Sequence, residues 1–193
     1  MKIVGFCLLL LAAILLCSCK SETPSSNNIR PSNQAVEGKK TEMKVTSRAF
    51  QDGGMIPKEY TCDGANLSPQ LAWADVPEKT KTIAFIAEDP DAPGKTWIHW
   101  VAFNIPASAR ELPDNVPAQE NISGGGKQGK NDFKNVGYGG PCPPSGSAHR
   151  YYFNLYALDA ELNLDSSATK DQLLKAMDGH VLGEGQLMGK YQK

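Results

Sequence analysis

Three stretches of the chain are dense in β-branched and aromatic residues and bounded by turn-forming ones: KTIAFIAED (Lys81–Asp89), WIHWVAFNIP (Trp97–Pro106) and HRYYFNLYALD (His149–Asp159). That pattern predicts strands. In the third, both phases of a two-residue alternation are largely apolar, with Tyr151, Phe153, Leu155 and Ala157 on one side and Tyr152, Tyr156 and Leu158 on the other. A strand apolar on both faces belongs in the middle of a sheet. In the second, alternation puts Trp97, His99, Val101 and Phe103 on one face. Helical spacing appears in TKDQLLKAMDGH, where Thr169 is a candidate N-cap with Gln172 three residues on. Leu173, Leu174 and Met177 form its apolar stripe and Gly179 its stop, and a last strand follows through QLMGKYQ. Long Gly/Pro-rich connections between short strands make the fold class mainly β, a single-domain β-sandwich with short peripheral helices.

The N-terminal part breaks this pattern. An apolar run from Ile3 to Cys17 is shorter than the roughly 20 residues a membrane-spanning helix needs, and it fits the apolar region of a signal peptide. The run closes in LLCSCK, which resembles the bacterial lipobox: small Ser18 precedes Cys19, the cysteine that takes lipid and becomes the new N-terminus. Cys17 is the weaker candidate because Leu16 would fill the small-residue position. An uncleaved anchor and an ordinary secretory signal are the alternatives. From Lys20 to Glu42 there is no aromatic residue and the only aliphatic ones are Ile29, Ala35 and Val36. Such a segment buries too little apolar surface to offset its ordering entropy. The expected organisation is a signal peptide over 1–18, a flexible tether over 19–42 and one domain over 43–193, lipid-anchored through Cys19 on the extracytoplasmic side of a bacterial cell envelope.

A formal net charge of −1 without a basic block argues against a nucleic-acid groove, which needs clustered Lys and Arg. Cys62 and Cys142 are the only cysteines of the expected domain. An even pair in an exported chain favours one disulfide; two separate buried thiols are the alternative.

Candidate chemistry gathers in two loops. EDPDAPGKT (Glu88–Thr96) lies between two expected strands, and its prolines stiffen a turn that carries Asp89 and Asp91. GYGGPCPPSGSAHRYYF (Gly137–Phe153) supplies a second Gly/Pro loop, then His149 and Tyr151 with side chains pointing the same way. Two of the three histidines, His99 and His149, thus adjoin rigid proline loops. Two imidazoles, a tyrosine hydroxyl and glycine N–H groups suit phosphate or another small anion. The acids suit it only if they orient the histidines or meet a cationic headgroup. No metal-binding spacing such as H-E-x-x-H occurs, so neither a metal nor a cofactor is expected. GGGKQGKN (Gly124–Asn131) comes close to a phosphate-binding P-loop, but Asn131 replaces its hydroxyl residue, and a mobile, solvated loop is the expectation. A hydrolase with Cys142 as nucleophile, His149 or His99 as base and Asp89 as orienting acid is a competing reading. Another is an inhibitor or regulator that binds a protease or kinase through surface loops.

The stretches YTCDGANLSPQLAW (Tyr60–Trp73), EDPDAPGKTWIHWVAFNIP (Glu88–Pro106), GKNDFKNVGYGGPCPPSGSAHRYYFNLYALD (Gly129–Asp159) and the tail GHVLGEGQLMGKYQK together resemble the phosphatidylethanolamine-binding protein (PEBP) family, in its bacterial Raf kinase inhibitor-like branch. The resemblance implies a PEBP-like β-sandwich whose pocket binds phosphate-like anions and phosphorylated headgroups such as phosphoethanolamine. By motif it assigns ligand binding to Asp89 and Asp91, to Trp97 and His99, to Gly140, Pro143 and Pro144, and to His149 and Tyr151. The short SGSA spacer between Pro144 and His149 departs from the family pattern and bears on the pocket rim rather than its floor.

Overall fold

The computed structural model describes residues Lys40–Lys193; the signal peptide, the lipidation site Cys19 and most of the expected tether lie outside the described residues. In chain order the strands are β1 (Thr41–Glu42), β2 (Lys44–Thr46), β3 (Leu71–Ala74), β4 (Thr82–Asp89), β5 (Trp97–Pro106), β6 (Glu111–Leu112), β7 (Lys127–Gln128), β8 (His149–Leu158) and β9 (Val181–Tyr191). One α-helix, α1 (Lys170–Met177), precedes the last strand. The main sheet has the order β1-β9-β8-β4-β5-β7, and a second sheet has the order β2-β3-β6.

The three apolar runs become the centre of the main sheet because each has two faces to bury. Phe85 and Ala87 of β4 with Phe153 and Leu155 of β8 pack against Val45, Leu71 and Trp73 of the small sheet, which forms the core of the sandwich. The opposite face, with Ala84, Ile86, Val101, Phe103 and Leu158, is covered by Leu173 and Met177 of α1. Thr169 and Gln172 close the helix's N-terminus with a reciprocal capping box. Leu174 does not join the stripe: it sits about 100° around the helix from Leu173 and stays 38% exposed.

Two segments differ from the expectation in extent. Strand β9 starts at Val181 rather than Gln186, and its first half carries Gly183 and Gly185, which hide it from a side-chain pattern. A Cβ on Gly185 would lie 2.4 Å from the carbonyl oxygen of Met43, so the missing side chain is what lets the entering chain run alongside. The sheet accordingly takes in Thr41 and Glu42, paired with Gly183 and Glu184. The glycine-rich stretch before Asn131 is not a loose loop. It supplies β7, paired to β5, and the fully buried Gln128. Gln128 accepts the indole N–H of Trp100 at 2.7 Å and donates to the carbonyls of Pro117 and Gln119.

The pairing of β5 with β4 shifts register twice, between Ile83 and Phe85 and between Ala87 and Glu88, and the second shift breaks the alternation expected near the start of β5. Glu88 pairs with Ile98 while its neighbour Ala87 pairs with Trp100, which leaves His99 as an extra residue in a β-bulge. A bulge re-aims the side chains that follow it. Trp97 and His99 therefore stay on the side of Trp100 and Tyr151, whereas Val101 and Phe103 face α1.

Cys62 and Cys142 form a disulfide with Cα atoms 5.4 Å apart and 80 residues of separation. In the chain-entropy description a loop of that size stabilises the fold by about 4 kcal/mol. The variant with both cysteines changed to serine is expected to lose about that much in urea denaturation, and an unchanged midpoint would contradict it.

Candidate functional site

The ends of β4, β5 and β8 meet at one edge of the sandwich, because antiparallel pairing sets Asp89 opposite Trp97 and Glu88 opposite Tyr152. The two proline loops close over that edge. Between them lies a cavity of about 200 Å³ lined by Asp89, Trp97, His99, Pro143, Pro144 and His149 from the expected set. Ala92, Pro93, Phe133 and Cys142 complete the lining.

His99 is the best-fixed group. Its ring is 4% exposed, and its Nδ1–H donates to the carbonyl of Gly139 at 2.6 Å. The backbone N–H of Gly139 returns a bond to the carbonyl of His99 at 2.8 Å. Since a carbonyl only accepts, Nδ1 carries hydrogen and the neutral ring keeps its lone pair at Nε2. Burial pushes the His99 pKa down, against the smaller opposing pull of the Gly139 carbonyl and the Asp89 charge. The rings of Phe133 and Tyr151 meet His99 edge-on at 5.5 and 5.2 Å.

Asp89 is buried and accepts twice: from His149 Nδ1–H at 2.8 Å and from the Asp91 backbone N–H at 2.8 Å. The first bond orients the imidazole and the second shapes the turn. Asp91 does not line the cavity. Its carboxylate takes Arg150 through Nε at 2.9 Å, Nη2 at 2.6 Å and the backbone N–H at 2.9 Å. That clamp ties the Asp/Pro loop to the start of β8. The Arg150 hydrogen bonds hold the Asp91 pKa down at about 2, against a weaker opposing effect of burial.

Tyr151 and Gly140 also stand behind the lining. Tyr151 lies against His99, and its hydroxyl is buried without a partner among the described residues. Burial, and then the nearby Asp89 charge, push its pKa up. The N–H of Gly140 is not free for an anion, because it donates to Asn66 Oδ1 at 2.7 Å. A Cβ there would lie 2.4 Å from the Tyr60 carbonyl oxygen, so close backbone approach explains this glycine. The indole N–H of Trp97 is a second buried donor without a partner among the described residues.

Phe133 escaped the sequence reading. It is an apolar residue in the polar run GKNDFKN, 37% exposed, and its ring meets that of Trp97 at 5.4 Å. Its place is set by the preceding Asp132, which accepts the Ile98 N–H and the Lys95 ammonium, both at 2.8 Å. Among the described residues no group of three or more His, Cys, Asp or Glu side chains is placed to hold a metal ion.

Residues 46–192 match the family described as phosphatidylethanolamine-binding protein. The chain belongs to that family. Among its relatives, the UPF0098 protein of Methanothermobacter thermautotrophicus is 52% identical over 151 residues, covering 78% of this chain and 99% of that one. A crystal structure of a putative PEBP homolog from Chlamydia trachomatis is similar with a TM-score of 0.73 and 42% identity, over 79% of this chain and 99% of that one. The crystal structure of E. coli YbcL, a new member of the mammalian PEBP family, is similar with a TM-score of 0.72 and 34% identity, over the same shares of each chain. A PEBP fold thus accounts for the sandwich.

The Asp91–Arg150 clamp sets an acid dependence. The folded pKa of Asp91 lies below its ordinary 3.8, so its stabilisation is complete above that value and is lost as pH falls from there to about 2. Discounted for the partial exposure of both side chains, the contribution is about 1 kcal/mol. Urea titrations should show Asp91→Asn destabilised by about that amount near neutrality, with the gap closing at the acid end of this window. A gap that persists there would refute the clamp's charge dependence.

Proposed function

We propose that this PEBP-family chain is a binding protein, not an enzyme, whose cavity takes phosphate-like anions or phosphorylated headgroups such as phosphoethanolamine. The observation that supports this most is a buried donor without a partner among the described residues, Trp97 Nε1–H, on a residue that lines the cavity together with two imidazoles. Buried donors in folded proteins are nearly always paired. One that is not, on a cavity wall, calls for an acceptor oxygen from outside the chain, and a tetrahedral oxyanion offers several in a small volume. At about 200 Å³ the cavity lies below the 300 Å³ or so at which drug-sized ligand pockets begin, which suits a headgroup and not its acyl chains. The names of the family and of the chlamydial neighbour favour the same ligand class. Against a cysteine hydrolase stands the Cys62–Cys142 bridge, since a sulfur in a disulfide is not an attacking thiolate.

In the same reading the lipobox cysteine Cys19 anchors the protein to a bacterial envelope membrane, extracytoplasmic side outward, and the polar segment after it holds the cavity clear of the lipid surface.

Two measurements test this. In NMR titration of the full chain with phosphate and O-phosphoethanolamine, the ring signals of His99 and His149 should shift saturably, and the shifts should vanish in His99→Ala. Unmoved rings at millimolar ligand would defeat the anion-site reading. In membrane fractionation of a bacterial host, the wild-type chain should sediment with membranes and Cys19→Ala should not. Equal membrane retention of both would defeat the lipid anchor.

A further inference from the structure

The charges and lone pairs around the cavity restrict the oxyanion more narrowly than the family's ligand class does. No Lys or Arg is among the residues that line it. Its one carboxylate, Asp89, is buried and paired with His149, so that pair carries a net charge of zero or minus one, whichever state the imidazole adopts. His99 adds no charge while neutral. It also adds an acceptor: Nδ1–H is committed to the Gly139 carbonyl, so Nε2 of the neutral ring has a lone pair to offer. A fully ionised oxyanion would meet this wall with repulsion from Asp89 and two lone pairs face to face at His99.

We infer that the cavity selects an oxyanion that keeps one hydrogen, a phosphate monoester in its singly protonated form, over a fully ionised isostere such as a sulfate ester, with His99 Nε2 accepting that hydrogen. This deepens the binding reading above and rests on it. Phosphate monoesters suit such a site because their second pKa is about 6, so the proton is available at little cost near neutrality. A sulfate monoester of the same shape has no hydrogen to give there. Sites built to pair with a ligand hydrogen reject analogues that lack it, because a buried polar group is then left opposed or unpaired. Burial of the His99 ring acts in the same direction, since it disfavours the imidazolium that would accept a sulfate by donation. His99 is in this view a specificity-determining residue, and Trp97 supplies donation common to both ligands.

The test is calorimetric titration of the full chain at neutral pH with O-phosphoethanolamine and with its isostere 2-aminoethyl hydrogen sulfate. The expected result is saturable binding of the phosphate and at least about tenfold weaker binding of the sulfate. At about pH 8, where the free phosphate ligand is a dianion, binding measured in buffers of different ionisation enthalpy should take up close to one proton. In His99→Gln the amide can turn an N–H toward the ligand, and the preference should narrow. Equal affinity for the two probes, or phosphate binding without proton uptake, overturns the inference and leaves the binding reading standing. Absence of binding by either probe overturns the binding reading itself. A full preference that survives in folded His99→Gln removes His99 from the role; if that variant does not fold, the wild-type ratio and proton count decide alone.

Discussion

His99 and Gly139 are joined twice, ring N–H to carbonyl and amide N–H to carbonyl, and the cavity depends on that joint. The bulge at His99 gives up one position of strand pairing with β4. In return the side chain stays on the same side as Trp97 and reaches the glycine/proline loop. Without the joint, the loop that carries Cys142, Pro143 and Pro144 would have no tie to β5 at this point. The bond to the Gly139 carbonyl also fixes the orientation of the ring and places a hydrogen on Nδ1.

A second set of bonds fixes the opposite wall. Asp89 holds His149 and Asp91 holds Arg150, so two acids two residues apart in the Asp/Pro loop grip two neighbouring residues of β8. The acids face opposite ways with different results. One is buried at the cavity, and the other is half in solvent and structural. Chain stiffness from Pro90 and Pro93 makes this division stable, because little loop entropy remains to be lost when the four side chains engage.

Strand composition revealed the sandwich well, because the central runs are apolar on both faces and their turns are rich in Gly and Pro. The capping box at Thr169 was legible for a similar reason: its chemistry is local. What a single pattern could not carry was anything set by a distant backbone. The bulge at His99 depends on the register with β4, so plain alternation misplaced Val101 and Phe103. The first half of β9 lay hidden because Gly183 and Gly185 exist to admit another chain segment. At the site, residue types pointed to His99, His149 and Asp89, which line the cavity, whereas Asp91 and Gly140 resemble ligand groups in sequence while their hydrogen bonds are spent within the protein. Phe133 gave only the weak signal of one aromatic in a polar run, since its position is imposed by Asp132 and the N–H of Ile98.

The Cys62–Cys142 bridge closes a covalent ring that includes β3 to β7, and with them Asp89, Asp91, Trp97, His99 and Gly140; His149 and Tyr151 follow just beyond it. A peptidase cut at any bond within that ring, for instance in the exposed turn Ser123–Gly125, leaves both pieces tethered through sulfur. The two halves of the cavity then remain on one molecule, held also by the pairing of β4 with β8. A nicked protein of this design stays a single particle until a reductant reaches it, so scission alone does not scatter the parts of its site.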